Sequence, residues 1–346
     1  MSVPGSVPDL GTKESCIPVL VVQNPGYQKG GSRHSVNNAV GVDFGSGWDI
    51  VMPAGWSMAF WIAFIYRGAK AVGLREQKSL AFEAGELTFP DCCPDTPSAT
   101  ETSSSRAADL RAAHDRRPPA KRCNYEKMGV PAPFHCPWLE LVRGWMRTCE
   151  HGKDCGVDQQ FYCIRTRSLL RLLNDVCSGV AYRSKSTDQN RSVECSAAAD
   201  LSTELLQRGP AIVKVQVMMS GRGAPAQFAL ICLPSEEDVL APSRGRTDAQ
   251  GVVGNDPTEP IRRDPIFFRY PSPATVLGST ARPTLGFVVE GGFSHATGRG
   301  SGVGFVSVLG LKTLLERKRD RASRTTVLVR CTRSLQYRPA ELRIVC

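Results

Sequence analysis

The sequence predicts an α+β protein of two domains, the second built on a mixed or antiparallel sheet. Two patterns carry that prediction. Val213, Val215, Val217 and Met219 alternate with Lys214 and Gln216, the period of a half-buried strand, and strand-like runs recur at 227–233, 285–289, 304–308, 327–329 and 342–345. Between them, Leu169, Leu170, Leu172, Leu173 and Val176, and later Leu311, Leu314 and Leu315, fall at helical spacing. No internal repeat at a fixed period is visible, so a solenoid or propeller is not predicted.

Taken in order, residues 1–14 read as a disordered leader, and the β-branched run 17–22, bounded by Pro18 and Asn24-Pro25-Gly26, reads as a buried strand. Residues 15–97 form an aromatic-rich first domain, with Trp48, Trp56, Phe60, Trp61, Phe64 and Tyr66 as its core. Small polar residues 98–105 then lead into a short exposed helix, 106–115, capped by Ser104 or Ser105 and stopped by Pro118-Pro119. The whole of 98–122 reads as a basic linker, its 116–122 end held extended by the two prolines. A connecting segment, 123–150, carries a helix through Leu139, Val142, Trp145 and Met146. The second domain is placed at 151–346, with a short helix at 200–208 and a Pro-, Gly- and Arg-rich loop excursion at 241–283.

Composition narrows the function classes. The 346 residues are 41% hydrophobic, enough for sizeable cores, and the net charge of +10 favours polyanionic partners through counterion release. Most of the excess lies after residue 149. Thirteen cysteines are present without one C-x-x-C pair, so neither a zinc knuckle nor a disulfide framework is signalled, and the thiols read as core filler in a reducing compartment. The apolar stretch 50–66 approaches the length of a membrane span, but Pro53, Gly55 and Ser57 interrupt it and suit a strand, turn and helix better.

The chemistry-bearing residues favour binding over catalysis. His34, His114, His135, His151 and His295 lie in loops or linkers, without a nucleophile elbow. His135-Cys136 beside Cys123 and Cys149 lacks tight paired spacing, and Glu236-Glu237-Asp238 is explained as the acidic first turn of a helix. Gly298, Gly300, Gly302 and Gly304 read as a tight hairpin or bulge, or as a cradle in which backbone amides and Arg299 touch a phosphate. Arg116, Arg117, Lys121 and Arg122 read as a solvated linker or as cations following a phosphate backbone. Arg67, Lys70 and Arg75 follow the aromatic block, where Trp56 and Trp61 either pack in a core or stack on bases. No catalytic residue, metal or cofactor is assigned.

Several motifs in succession resemble a known family. They include Gly45-Ser-Gly-Trp-Asp49, Pro53-Ala-Gly-Trp56, Phe60-Trp61, Ile65-Tyr-Arg-Gly68, Gly73-Leu74 and Phe89-Pro-Asp91. Arg116-Arg-Pro-Pro-Ala-Lys-Arg122 with Asn124-Tyr125, Cys136-Pro-Trp138, Leu285-Gly-Phe-Val288, Gly304-Phe-Val-Ser307 and Ser334-Leu-Gln-Tyr-Arg338 continue the series. Together they are similar to the C-terminal part of the largest protein subunit of ribonuclease P and ribonuclease MRP.

That resemblance implies an RNA-binding scaffold without an active site of its own. Catalysis would belong to the RNA subunit, and the complexes remove 5′ leaders from precursor tRNA and process ribosomal RNA. It implies as partners the ribonuclease P and MRP RNAs, the other protein subunits and, indirectly, precursor tRNA, in the nucleus and nucleolus, with no membrane partner. With the charge pattern above, the candidate RNA contacts are Arg67, Lys70, Arg75, Arg116, Arg117, Lys121, Arg122, Tyr125 and Arg299. It also gives the second domain a likeness to the aminomethyltransferase fold, which leaves two alternatives: a folate-dependent enzyme of that type and a purely protein-docking module.

Overall fold

The computed structural model describes residues 16–24, 46–149, 160–178, 209–235, 238, 280, 282–317 and 325–345. The chain divides into two compact units, residues 1–84 and 85–346, whereas the sequence places its divisions near 97 and 150. The expected helix at 200–208 and the interior of the 241–283 excursion lie outside the described residues, as do the joint at 150–159 and the leader.

In the first unit, strands β1 (Leu20–Asn24) and β2 (Gly47–Val51) pair antiparallel, with Val22 opposite Asp49. A turn with Gly55 at φ 92° leads into helix α1 (Ser57–Tyr66), and helix α2 (Leu74–Glu83) follows. Strand, turn and helix stand where the apolar run 50–66 predicts them, and no described helix is long and apolar enough to cross a membrane. Burial differs from the prediction. No described residue of this unit is buried, so the run 17–22 is not a buried strand and the Trp/Phe block is not a core. The physical reason is layer count among the described residues: a two-stranded sheet and two short helices have too few faces to enclose one another.

The second unit opens with helix α3 (Pro97–Asp115). It is one helix of 19 residues, not a polar linker followed by a ten-residue helix. Thr96 caps it, its hydroxyl accepting from the Ala99 amide at 3.3 Å and donating to the Cys93 carbonyl at 2.8 Å, and Pro97 fills the first position, where a missing N–H costs nothing. Arg106 then ties α3 to the preceding turn through a two-pronged contact with Asp91. Helix α4 (Trp138–Cys149) buries Val142, Trp145 and Met146, as their spacing predicts, together with Leu141, while Leu139 is half-buried.

The rest is a barrel with helices on it. Strand β3 (Tyr162–Cys163), helix α5 (Arg167–Ser178) and strands β4 (Ala211–Met219), β5 (Leu230–Cys232), β6 (Thr284–Ser294) and β7 (Arg299–Ser307) precede helix α6 (Val308–Arg317) and strands β8 (Thr326–Arg330) and β9 (Arg338–Ile344). The antiparallel order is β4-β7-β6-β5-β8-β9, and β9 returns to pair with β4, closing six strands; β3 adds one short parallel pairing to the start of β4. The sheet is therefore mixed through β3 alone and otherwise antiparallel, within the two forms the sequence leaves open. The run 227–233 is not a neighbour of β4, because the β6–β7 hairpin takes that edge and leaves β5 between β6 and β8.

Closure rests on fully buried Val213, Val215 and Val217, and on glycines that let strands approach. A Cβ at Gly304 would lie 2.0 Å from the Phe287 carbonyl oxygen, and one at Gly286 2.0 Å from that of Phe305. Trp138 meets Phe287 and Phe305 edge-on, with centroids 5.6 Å apart in both cases, and the buried Trp145 indole donates to the Thr284 carbonyl at 2.9 Å. Thus α4 belongs to the barrel's packing, not to a connector between domains.

Two outcomes test this packing. Gly304→Ala should destabilise the chain by about 2–3 kcal/mol, as overpacking does, whereas Gly292→Ala, whose Cβ meets open space, should stay within about 0.5 kcal/mol; urea unfolding measures both. The second concerns Asp95, which accepts from the Cys163 amide at 3.0 Å and pairs with Arg165. Burial alone would raise its carboxyl, but these two partners outweigh it and hold the pKa below its ordinary 3.8. The folded value being the lower, the stabilisation is complete above pH 3.8 and is lost as pH falls through the folded value. Asp95→Asn should flatten that acid limb in a series of melting temperatures against pH.

Candidate nucleic-acid interface

The segment after α3 is a hook. Its 116–122 portion is not extended: Pro119–Lys121 form a 3₁₀ turn, and Arg122 folds back to donate from Nε to the Arg117 carbonyl at 2.7 Å and from its terminal nitrogen to the Asp115 carbonyl. A helix ends with carbonyls that lack partners, and a following arginine satisfies them here, which overrides the extended preference of the two prolines. Arg122 and, beyond it, Tyr125 are thus occupied. His114 bridges the Asp115 carboxylate at 3.1 Å and the Cys123 carbonyl at 3.2 Å, and its ring lies 5.4 Å from Tyr125 and 5.6 Å from Phe134. Beside them His114, Pro119, Arg122, Tyr125 and Glu126 border an open cleft of about 380 Å³.

Arg330 fixes this hook to the barrel. The guanidinium is 1% exposed and donates to the Met128 and Gly129 carbonyls at 2.8 and 3.2 Å, 5.7 Å from the Tyr337 ring centroid. Gly129, at φ 61°, makes the turn that presents both carbonyls. From the same strand end, Arg333 meets the Tyr125 hydroxyl, which raises its pKa above the ordinary arginine value. Cys331 reaches the Ala224 carbonyl at 3.8 Å, and Arg338 donates to the Arg222 carbonyl. Gly300 completes the set, its Cα facing the Gly223 carbonyl so closely that a Cβ would sit 2.1 Å away.

These contacts gather three chain segments, 116–130, 220–226 and 331–338, and the start of β7 at one end of the barrel. Arg116, Arg117, Lys121, Arg222, Arg299 and Arg333 are exposed there, and Arg116, Arg117 and Lys121 have no ion-pair partner among the described residues. The sequence names Arg116, Arg117, Lys121, Arg122, Tyr125 and Arg299, and the structure brings all six together. It misses Arg222, Arg333 and Arg338, single arginines whose neighbourhood depends on barrel closure. Phe293 is also missed: it is 55% exposed near the hairpin tip, with its ring edge-on to His295 at 5.5 Å. Arg67 at the end of α1, Lys70 in the loop after it and Arg75 in the first turn of α2 are all exposed.

The two readings of the glycine run part here. Gly298, at φ 64°, turns the β6–β7 hairpin, and Gly300, Gly302 and Gly304 are packed against backbone or side chains, which is the hairpin reading. Asp238 accepts from the Ser235 amide at 2.8 Å and from Arg282 at 2.7 Å, which lowers its pKa against the opposing effect of burial; its acidic neighbours lie outside the described residues. Burial pushes Cys92 and Cys232 up to about 11 and Cys163 up to about 12, so these thiols are poor nucleophiles at neutral pH. Among the described residues no three His, Cys, Asp or Glu side chains are grouped to hold a metal ion.

Comparison with known proteins places this fold. The POPLD (NUC188) domain matches residues 47–138, and the POP1 C-terminal domain matches residues 211–269 and 267–346. The chain belongs to the POP1 family. It is 29% identical over 452 aligned positions to the human ribonucleases P/MRP protein subunit POP1, covering 99% of this chain and 43% of the relative. It is 39% identical over 90 residues to the Arabidopsis thaliana subunit of the same name, covering 26% of this chain and 11% of the relative. It is 23% identical over 201 residues to the Caenorhabditis elegans subunit popl-1, covering 58% of this chain and 23% of the relative. The chain therefore spans less than half the length of these POP1 relatives. The POPLD match runs across residue 84, so it takes in α1, α2, α3 and the basic hook.

Arg330→Met should unfold the hook first. It leaves the Met128 and Gly129 carbonyls without donors and should cost about 3 kcal/mol, with Arg330→Lys rescuing only in part because one ammonium cannot replace the two-pronged fork. Limited proteolysis between residues 116 and 130, followed alongside thermal unfolding, checks the order of loss.

Proposed function

We propose that this chain is a non-catalytic, RNA-binding part of the ribonuclease P and ribonuclease MRP machinery, bracing RNA through the arginine-rich end of the barrel. The observation that supports this reading most is convergence. Cations from segments more than 200 residues apart in sequence, among them Arg116, Arg117, Lys121, Arg222 and Arg333, stand at one end of the barrel, with Asp115 and Glu126 the acids within the hook. Such a surface neutralises phosphates without reading sequence, which suits an RNA recognised by shape. Phe293, exposed and paired with Gly300 on the same hairpin, adds a ring on which a base can stack.

On this reading the chain works within complexes that remove 5′ leaders from precursor tRNA and process ribosomal RNA, in the nucleus and nucleolus. The names of its relatives, all subunits of ribonucleases P/MRP, support membership of those complexes. Catalysis is left to the RNA, consistent with thiols held protonated by burial.

The test is a salt titration of affinity for ribonuclease P RNA. The triple variant Arg116→Gln, Arg117→Gln, Lys121→Gln should reduce the slope of log K against log salt by about two to three units, close to one per phosphate contact removed. Unchanged affinity and slope would move RNA contact away from the hook and leave the chain as a protein-docking module.

A further inference from the structure

The first unit holds an apolar surface that none of its described residues buries. Helix α1, from Ser57 to Tyr66, carries no charged residue and has no buried one; Met58 is 63% exposed, Trp61 50% and Tyr66 77%. Val21, Val22, Trp48 and Val51 on the two-stranded sheet are exposed as well. A helix that is apolar on all sides is stable in water only when it is enclosed on more than one side. An isolated helix of ten residues is itself marginal, and so is a lone hairpin.

We infer that α1 is an insertion helix for a protein partner: it seats in an apolar groove whose rim carries carboxylates. Charge decides the rim. Between Asp49 and Glu76 the chain carries Arg67, Lys70 and Arg75 and no acid, so an acidic edge complements it. The same three cations argue against a second copy, because a two-fold contact would set them against themselves. Ten residues rise about 15 Å, half of a bilayer core, which argues against a lipid occupant. RNA offers base faces to stack on, but no surface to enclose Met58, Ile62 and Ile65 together with Trp61. Helix-in-groove recognition by a folded protein remains, and it uses this kind of anchor spacing.

The inference rests on the reading above only in naming the probe, the purified protein subunits of ribonuclease P. Amide exchange is followed over residues 57–66 in four samples: the full chain alone, the chain at tenfold higher concentration, the chain with ribonuclease P RNA, and the complex rebuilt with the protein subunits. Fast exchange in the first three and slowing by about a hundredfold in the fourth is the expected result. Protection in the free chain, protection that grows with chain concentration, or protection by RNA alone would each overturn it. So would unprotected 57–66 in a complex the chain has demonstrably entered, whereas a chain that never enters the complex overturns the functional reading as well. As a second measurement, Ile62→Gln and the pair Lys70→Glu, Arg75→Glu should each weaken binding to the protein subunits about tenfold, Ile62→Gln doing so with affinity for RNA and the barrel's melting temperature unchanged. Equal binding by both variants would overturn the inference.

Discussion

Burying a guanidinium is expensive, and what the Arg330 side chain receives in return organises the surface around it. Its two short contacts are to backbone carbonyls, not to a carboxylate, so the charge of the group is solvated by peptide dipoles while the positive sign is retained. That choice keeps the surface around it cationic. A buried aspartate would have neutralised the locality; two carbonyls hold the hook in place and leave the end of the barrel positive. The same economy recurs at Arg122, which closes the α3 terminus on the Asp115 and Arg117 carbonyls, and at Arg338, which holds the Arg222 carbonyl. Arginines here tie loops to the barrel by way of backbone oxygen.

Much of the barrel was legible in the sequence because it depends on short-range pattern. Alternation at 213–219 and the β-branched runs near 285, 304, 327 and 342 each mark a strand that exists, and Trp145 stands on a helix face where the spacing of Leu139, Val142 and Met146 places it. Closure was not legible. Whether β9 pairs with β4 depends on register between segments some 120 residues apart, and on Gly286 and Gly304 admitting a neighbouring backbone, which no periodicity records. Length of helix was misread at α3 for a local reason: Ser103, Ser104 and Ser105 resemble a start signal, and the stronger one, Thr96 followed by Pro97, lies in a Pro-rich stretch that reads as loop.

The candidate interface shows the same division. Contiguous cations such as Arg116, Arg117 and Lys121 announce themselves, although the prolines between them suggested a strap where the chain makes a hook. Arg222 and Arg333 could be found only after the loops carrying them were seen to be anchored to Ala224 and Tyr125 neighbours. The block with Trp56 and Trp61 failed in the opposite sense. Its composition is that of a core, and composition reports what a segment must bury, not whether its own unit supplies the cover.

That distinction separates the two units physically. In residues 85–346, apolar side chains such as Val213, Phe305 and Leu314 are at or below 1% exposed, so a hydrophobic core is enclosed there. Among the described residues of 1–84 the same driving force is present in the sequence and unspent in the fold: none of them is buried. A partner that covers α1 would gain the transfer free energy of several large side chains at once, at the cost of ordering a marginal helix, so docking and folding of this unit should be coupled. Selection at such a surface would act on its aromatic and aliphatic residues as binding determinants, even though their types are those of a core. A matched succession of Trp, Phe and Ile through 48–66 is then explained by association, where the barrel's Val and Gly pattern is explained by packing.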